Sequence, residues 1–201
     1  MQDPKKTKRC PWGPSDDPLY CRYHDTEWGV PVHEDKKICE FLVLEAFQAG
    51  LSWRTVLYKR QAFRKAFASF SPRIVARFTQ SDIARLMTNA AIIRNKQKIV
   101  ATVGNAQRFL DIQKEFGTFE RYMWQWVGGE PINHRLRTLS DYRPTSREAE
   151  RWSKDLSRRG FRFLGPTVVY AHMQAVGMVN DHIVSCFRYR EVQSRKRHRG
   201  Y

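Results

Sequence analysis

The chain has 201 residues, of which 41% are hydrophobic, and a formal net charge of +16. This length favours a single domain with a substantial core, and the lack of any run of 18 apolar residues excludes a membrane-spanning helix. The first residues contain no apolar stretch of the kind that secretory signal peptides have. We therefore expect a cytoplasmic protein whose four cysteines are thiols or metal ligands rather than disulfides.

Basic residues are concentrated at both ends of the chain but are not confined to them. Residues 1–9 carry a net charge of +3 and residues 188–201 a net charge of +5, which leaves +8 on residues 10–187. We predict that these ranges are a basic N-terminal tail, a basic C-terminal tail and, between them, one all-α domain with two lobes. A basic body is typical of proteins that bind nucleic acids, although it also serves solubility alone.

Helical periodicity runs through nearly the whole chain. No segment alternates like a strand, and residues 130–144 have the character of a connecting loop. In chain order, the predicted helices cover 35–49, 53–70, a short segment from Ser71-Pro72, a segment capped by Ser81, 95–116, 118–128, 145–160, 165–177 and a last segment that carries His182 and Cys186. The pattern therefore predicts an all-α fold of about eight helices.

Glu45 is the most informative single residue. It is the only charged side chain between Phe41 and Trp53, in the segment FLVLEAFQAGLSW. On a helix it lies in the middle of an apolar stripe, and the other faces of this helix are apolar as well. A buried carboxylate without a partner is costly and has a raised pKa. Two interpretations remain: a buried ion pair with an arginine, or a site for a ligand.

Five aromatic residues surround this acid in the sequence, namely Trp12, Tyr20, Tyr23, Trp28 and Trp53. Aromatic rings and one buried acid suit a flat, cationic ligand that donates hydrogen bonds. An alkylated nucleobase has these properties. The alternative is ordinary core packing, which is the commoner fate of tryptophan.

Two histidines and two cysteines lie near the two ends of the predicted domain. His182 and Cys186 are four residues apart and would share one face of a helix, while Cys10 and His24 lie near the N-terminus. Two thiolates and two imidazoles form closed, tetrahedral zinc sites, which are structural rather than catalytic. Such a site would clamp the two ends together, whereas the alternative is that this common spacing binds nothing.

The segment LMTNAAIIRNKQKI predicts two helices joined by a tight apolar hairpin. The second helix begins near Asn95 and would present free backbone N–H groups to a phosphate. Arg94, Lys96 and Lys98 add positive charge. The alternative is an ordinary helix–turn–helix corner with solvated lysines.

Several longer stretches make the chain similar to one known family. They are DPLY and YHDTEWGVP within 17–32, LEAFQAGLSWRTVL at 44–57, IIRN with QK at 92–98, RGFRFLGPT at 159–167 and MQAVGMVNDHIVSC at 173–186. With them the chain closely resembles the bacterial 3-methyladenine DNA glycosylase I family, a branch of the helix-hairpin-helix glycosylases. The resemblance spans about residues 10–186 and implies a helix-hairpin-helix fold with a zinc clamp joining the N- and C-terminal segments.

The resemblance also implies a role for the aromatic region. Glu45 matches the acid that recognises the methylated base and is the candidate catalytic residue. Trp12, Tyr20, Tyr23 and Trp53 match aromatic positions that line the base pocket.

Further roles concern the metal and the DNA. The matched ligands of one structural zinc ion are Cys10, His24, His182 and Cys186. Leu51 lies where a side chain would fill the gap left by an extruded base, and the hairpin cations Arg94, Lys96 and Lys98 are the candidate phosphate contacts. Two positions depart from the family pattern. Ala91 replaces a customary glycine, which bears on the phosphate grip, and Phe47 replaces a familiar glutamine, which bears on the pocket wall or a DNA contact; the sequence leaves both effects open.

The activity that the resemblance implies is base-excision repair. A monomeric, nucleoid-associated enzyme would flip 3-methyladenine out of double-stranded DNA and hydrolyse its N-glycosidic bond. No lysine lies in the pocket motifs, so a Schiff-base lyase step is not expected. Two other functional classes fit the sequence less well. A zinc-stabilised binding module has no need of a buried acid among aromatics, and a catalytic zinc hydrolase requires an open metal position.

Overall fold

Ten α-helices account for most of residues 8–13 and 15–194, the part of the chain that the computed structural model describes. Their bounds are α1 Pro18–Thr26, α2 Asp35–Gln48, α3 Trp53–Ala66, α4 Pro72–Val75, α5 Gln80–Thr88, α6 Lys96–Phe116, α7 Phe119–Trp124, α8 Arg147–Arg158, α9 Pro166–Ala175 and α10 Phe187–Ser194. The predicted all-α class is confirmed. Among the described helices, none combines the length and the apolar character that a bilayer crossing requires. Residues 1–7 and 195–201, most of the two predicted tails, lie outside the described residues.

Most helix starts carry the side-chain caps that local sequence signals indicate. The capping residues are Ser52, Asn95, Thr118 and Ser146, and each accepts a hydrogen bond from the backbone N–H three residues later. Two starts differ from the prediction. α1 was not predicted, and it begins after Asp17, whose carboxylate accepts two backbone N–H groups. α5 begins after Thr79 rather than Ser81, because Thr79 forms a capping box with Asp82.

The segment that carries His182 and Cys186 is not helical, contrary to the prediction. Strand β2, Val179–Asn180, pairs in parallel with β1, Ile132–Asn133, which lies inside the predicted connecting loop. A turn follows β2, in which the Cys186 N–H donates to the Ile183 carbonyl at 2.8 Å. The pairing with β1 holds the backbone extended, and the next helix begins only at residue 187.

The folded part extends beyond residue 187, where the C-terminal tail was predicted to begin. α10 continues to residue 194, and its Arg188 and Val192 side chains are buried. The Phe187 N–H donates to the Lys8 carbonyl at 3.0 Å, so this helix is attached to the N-terminal segment. The described folded part of the domain therefore extends to residue 194, because these contacts hold α10 against the domain.

α2 is the central helix, and it packs against α3, α6, α7 and α9. Every residue from Ile38 to Phe47 is buried. The Phe47 ring lies between Phe63 and Phe67, with centroids 4.7 and 6.0 Å away. The Phe47 side chain therefore belongs to the core rather than to a pocket wall or a DNA-contacting surface.

The hairpin between α5 and α6 accommodates alanine without a left-handed backbone. Ala91 is absent from the described residues with positive φ. Its N–H donates to Asn89 Oδ1 at 3.0 Å, and the Lys59 ammonium donates to the Ala91 carbonyl at 3.1 Å. The loss of glycine therefore introduces no backbone strain at this position.

Candidate functional site

A cavity of about 330 Å³ lies between α1, α2, α9 and the turn around residues 139–143. We call it the aromatic cavity. Its lining residues are Trp12, Tyr20, Tyr23, Trp28, Glu45, Gln48, Trp53, Leu139, Tyr142, Arg143, Ala171 and Gln174. All five residues predicted for the base pocket line it. Its volume and its mixture of rings with a few polar groups suit a small aromatic ligand.

Glu45 projects from the buried helix α2 into this cavity. The residue is 4% exposed, and the described residues offer it neither a hydrogen bond nor an ion pair. Burial raises the pKa of its carboxyl group to about 8. An unpaired buried acid is therefore available to a ligand in the aromatic cavity.

The buried arginine beside α2 does not pair with Glu45. Arg60 donates to Glu40 at 2.7 Å and to Glu27 at 2.9 Å. Arg64 donates to the same Glu40 carboxylate at 2.8 Å. Within the described part of the chain, this excludes the alternative of a buried Glu45–arginine ion pair.

The aromatic rings of the cavity wall pack against one another. Tyr23 lies 5.0 Å from Trp53, and Trp12 lies 4.6 Å from Trp28, measured between ring centroids. Burial, together with the nearby Glu45, raises the pKa of Tyr20 to about 12. The Tyr20 hydroxyl therefore remains protonated at neutral pH and is able to donate a hydrogen bond.

Sequence reasoning missed about half of the lining. Gln48 follows Glu45 by one turn of α2, so helical spacing alone would have indicated it. The other missed residues come from α9 and the turn before α8, far along the chain from the remaining walls. They are Leu139, Tyr142, Arg143, Ala171 and Gln174.

A second, smaller cavity of about 190 Å³ adjoins the first on the side of the loop between α2 and α3. Glu45, Gln48 and Ala171 line both cavities. Leu51 lies on the wall of the smaller one and is 42% exposed. The two cavities thus share Glu45 in their linings, beside the protein surface on which Leu51 projects.

The three hairpin cations have different environments. Arg94 and Lys96 are exposed next to the N-terminus of α6. Lys98 is buried, and its ammonium donates to the carbonyls of Phe47 at 3.0 Å and Ala49 at 2.6 Å. The predicted phosphate contact of Lys98 is therefore wrong, because these carbonyls at the C-terminal end of α2 already hold the ammonium.

Cys10, His24, His182 and Cys186 form a buried group, which we call the Cys/His cluster. One possible ligand atom from each residue lies within 4.8 Å of all the others. The Cys10 Sγ is 3.5 Å from His182 Nδ1, and the Cys186 Sγ is 3.6 Å from His24 Nε2. The structure thus brings together all four predicted ligands, although a turn rather than a helix presents His182 and Cys186.

The second nitrogen of each imidazole has its own partner outside the cluster. His24 Nδ1 contacts the Asp25 carboxylate at 2.8 Å, and His182 Nε2 contacts the Trp28 carbonyl at 3.0 Å. These contacts orient His24 Nε2 and His182 Nδ1 toward the two sulfurs, as outer partners of metal-bound histidines do. Arg9 in turn pairs with Asp25 at 2.7 Å. The donor set and its supports fit a metal ion.

Comparison with known proteins places the chain in one family. The family model described as methyladenine glycosylase matches residues 12–189. The chain belongs to this family. Its likeness to family members extends over nearly their whole length, as three comparisons illustrate.

The chain is 44% identical over 182 residues to DNA-3-methyladenine glycosylase 1 of Escherichia coli (strain K12), across 90% of this chain and 97% of that protein. A crystal structure of 3-methyladenine DNA glycosylase I matches with a TM-score of 0.87 and 41% identity, covering 90% of this chain and 98% of that one. A structure concerned with 3-methyladenine recognition by the Staphylococcus aureus glycosylase matches with a TM-score of 0.84 and 39% identity, covering 86% of this chain and 92% of that one. The predicted glycosylase fold is confirmed by these matches.

Proposed function

We propose that this chain excises 3-methyladenine from alkylated double-stranded DNA by hydrolysing its N-glycosidic bond, as a step of base-excision repair. The observation that carries the proposal is the unpaired, buried Glu45 carboxylate in the wall of the aromatic cavity. Family membership supports it, because the Escherichia coli relative is named a DNA-3-methyladenine glycosylase.

Selection of the base follows from charge. Methylation at N3 leaves the adenine of the nucleotide cationic, and a cation beside Glu45 would stabilise the carboxylate that burial otherwise disfavours. Normal adenine is neutral and brings no such compensation. A hydrogen bond to a charged group is worth about 1.5–3 kcal/mol, so this contact gives selectivity of about 10- to 150-fold.

Hydrolysis requires little further help, because a cationic base is already a good leaving group. Glu45 would hold the cationic base in the cavity. As the N-glycosidic bond breaks, its electron pair passes to the base, which leaves as neutral 3-methyladenine, and water adds to the sugar carbon and loses a proton. Lysine is missing from the described residues that line the aromatic cavity, which favours hydrolysis over a Schiff-base step. A methylated base also costs less to unpair than a normal one, which assists extrusion into the cavity.

The DNA-binding face that we propose includes Leu51 and the hairpin. Leu51 projects beside the smaller cavity and would fill the space that the flipped base leaves. Arg94 and Lys96, together with the N-terminus of α6, would contact phosphates without reading the base sequence. We further propose that the protein acts on DNA as a monomer.

We also propose that the Cys/His cluster binds one zinc ion. Two thiolates and two imidazoles are the donor set of closed structural zinc sites, which have no position for a substrate. When bound, zinc supplies a crosslink between the N-terminal and C-terminal segments.

Release of free bases from methylated DNA, measured by chromatography, tests the activity. The wild-type protein should release 3-methyladenine, and Glu45→Gln should lower the rate by roughly 30- to 100-fold while the fold is kept. Glu34→Gln is the matched control, because Glu34 is an exposed acid at the start of the same helix. Unchanged excision by Glu45→Gln would contradict the assigned role of the acid.

A further inference from the structure

Asp181 is a buried carboxylate that receives hydrogen bonds from several elements. It is 1% exposed. Its Oδ2 accepts from the Tyr170 hydroxyl and from Gln174 Nε2, each at 2.7 Å, and its Oδ1 lies 2.6 Å from His134 Nδ1. Because a carboxylate only accepts hydrogen bonds, it determines which end of the neighbouring Gln174 amide faces it.

The amide orientation decides what Gln174 offers to the aromatic cavity. With Nε2 held by Asp181, the carbonyl oxygen Oε1 points away from that carboxylate, and the described residues give Oε1 no hydrogen-bond partner. Gln174 belongs to the cavity lining. Its backbone is fixed as well, since its carbonyl accepts the Gly29 N–H at 3.0 Å. Among the described residues, Oε1 is thus an acceptor without a partner on a side chain that lines the cavity.

We infer that Gln174 is a specificity-determining residue that selects purines with an amino group at C6, and that Asp181 positions it. This inference rests on the proposed function. Glu45 and Gln174 Oε1 are two acceptors in one cavity, and an exocyclic amino group carries two N–H donors. A purine with a carbonyl at C6, such as 3-methylguanine, places an acceptor against these acceptors and has no N–H donor at C6. A site built to bind a donor discriminates strongly against an analogue that lacks it.

The test uses DNA methylated so that it carries both 3-methyladenine and 3-methylguanine. The quantity measured is the ratio of the two kcat/KM values for base release. Gln174→Met removes the acceptor while keeping the length of the side chain. It should lower release of 3-methyladenine roughly tenfold and change that of 3-methylguanine much less, so that the ratio falls roughly tenfold.

Two further variants distinguish positioning of the Gln174 amide by Asp181 from a general disturbance of the site. Tyr170→Phe removes the other donor to the same Asp181 oxygen and should leave the ratio unchanged. Asp181→Asn replaces the carboxylate by an amide that presents either a carbonyl or an N–H to Gln174, so the orientation of the Gln174 amide is no longer fixed and the ratio should fall toward that of Gln174→Met. In the Gln174→Met background, Asp181→Asn should have no further effect on the ratio.

Equal losses for both bases, or an unchanged ratio in Gln174→Met and Asp181→Asn, would overturn the inference. If Gln174→Met does not fold, the ratio for Asp181→Asn decides alone. A wild-type protein that releases neither methylated base would instead refute the proposed function, so the two failures are distinguishable.

Discussion

Glu45 links ligand selection to the stability of the protein at the scale of one residue. Burial raises the pKa of its carboxyl group from 4.5 to about 8. Between these two pH values the folded protein holds a proton that the unfolded chain has released. The stabilising effect of this proton is complete below pH 4.5 and is lost as the pH rises toward 8.

Glu45→Gln should therefore stabilise the protein, and increasingly so at higher pH. Glutamine resembles the protonated acid, so the two proteins should have similar free energies of unfolding near pH 4.5. At pH 8 the variant should be more stable by about 4 kcal/mol, since each pKa unit corresponds to about 1.4 kcal/mol. Urea unfolding at three pH values measures this difference, with Glu34→Gln as the control. Destabilisation at every pH would instead indicate an ion pair at Glu45.

At the scale of elements, the sequence predicted those helices whose ends and buried faces are determined by residues within one segment. Helices such as α6, with Asn95 as cap, were found because the capping residue and the apolar period lie within one segment. The turn that presents His182 and Cys186 was mistaken for a helix, because its form depends on pairing between Ile132 and Val179, distant in sequence.

The aromatic cavity shows the same difference between features set by nearby residues and features set by residues distant in the sequence. The aromatic residues and the acid that it takes from residues 12–53 were predicted because they lie close together in the sequence, although Gln48 was missed. Tyr142 and Gln174 were missed, because they reach the cavity only through the packing of α9 and the preceding turn. The fold class and the grouping of the four Cys/His cluster residues were thus predictable from the sequence, whereas the far wall of the cavity was not.

Lys98 joins two elements, and its replacement should affect both stability and excision. Its ammonium binds the last carbonyls of α2, one turn from Glu45 and just before the Leu51 loop. Lys98→Met leaves these carbonyls without their charged donor and should destabilise the protein by about 1.5–3 kcal/mol. Thermal melting and base release on the same variant measure the two effects.

Lys96→Met is the matched control for this prediction, because Lys96 is exposed two residues earlier on the same helix. It should leave the melting temperature unchanged and reduce the salt dependence of DNA binding by about one phosphate contact. Lys98→Met should leave that salt dependence unchanged. If Lys98→Met reduced the salt dependence and Lys96→Met lowered the melting temperature, Lys98 would be the residue that contacts phosphate.

At the scale of the whole molecule, the net charge of +16 predicts salt-dependent binding to undamaged DNA. Removal of residues 195–201, which carry three arginines and one lysine, keeps the complete helix α10. The slope of log K against log salt should become shallower by up to about 3–4, because each lost phosphate contact releases one counterion fewer. Titrations at several salt concentrations measure it. An unchanged slope would show that the C-terminal residues do not contact DNA.

The Cys/His cluster is formed by segments that are distant in the chain. Cys10 and His24 come from its beginning, and His182 and Cys186 from its end. The cluster also supports the aromatic cavity, since the Trp28 ring lies 4.6 Å from His182 and the Trp12 ring 5.4 Å from His24. Loss of a metal ion there should loosen both the terminal segments and one wall of the cavity.

We therefore expect one zinc ion per chain by elemental analysis, and a large stabilising contribution from it, because metal bound only by the folded state adds to folding free energy. Cys186→Ser, or a strong chelator, should lower stability by about 4 kcal/mol or more. For a domain of this size that corresponds to a fall of roughly 8–16 °C in melting temperature. Cys21→Ser is the matched control, because Cys21 lies outside the cluster, and it should retain the zinc. A wild-type protein without metal, whose melting temperature does not respond to the chelator, would show that the four side chains serve only as core packing.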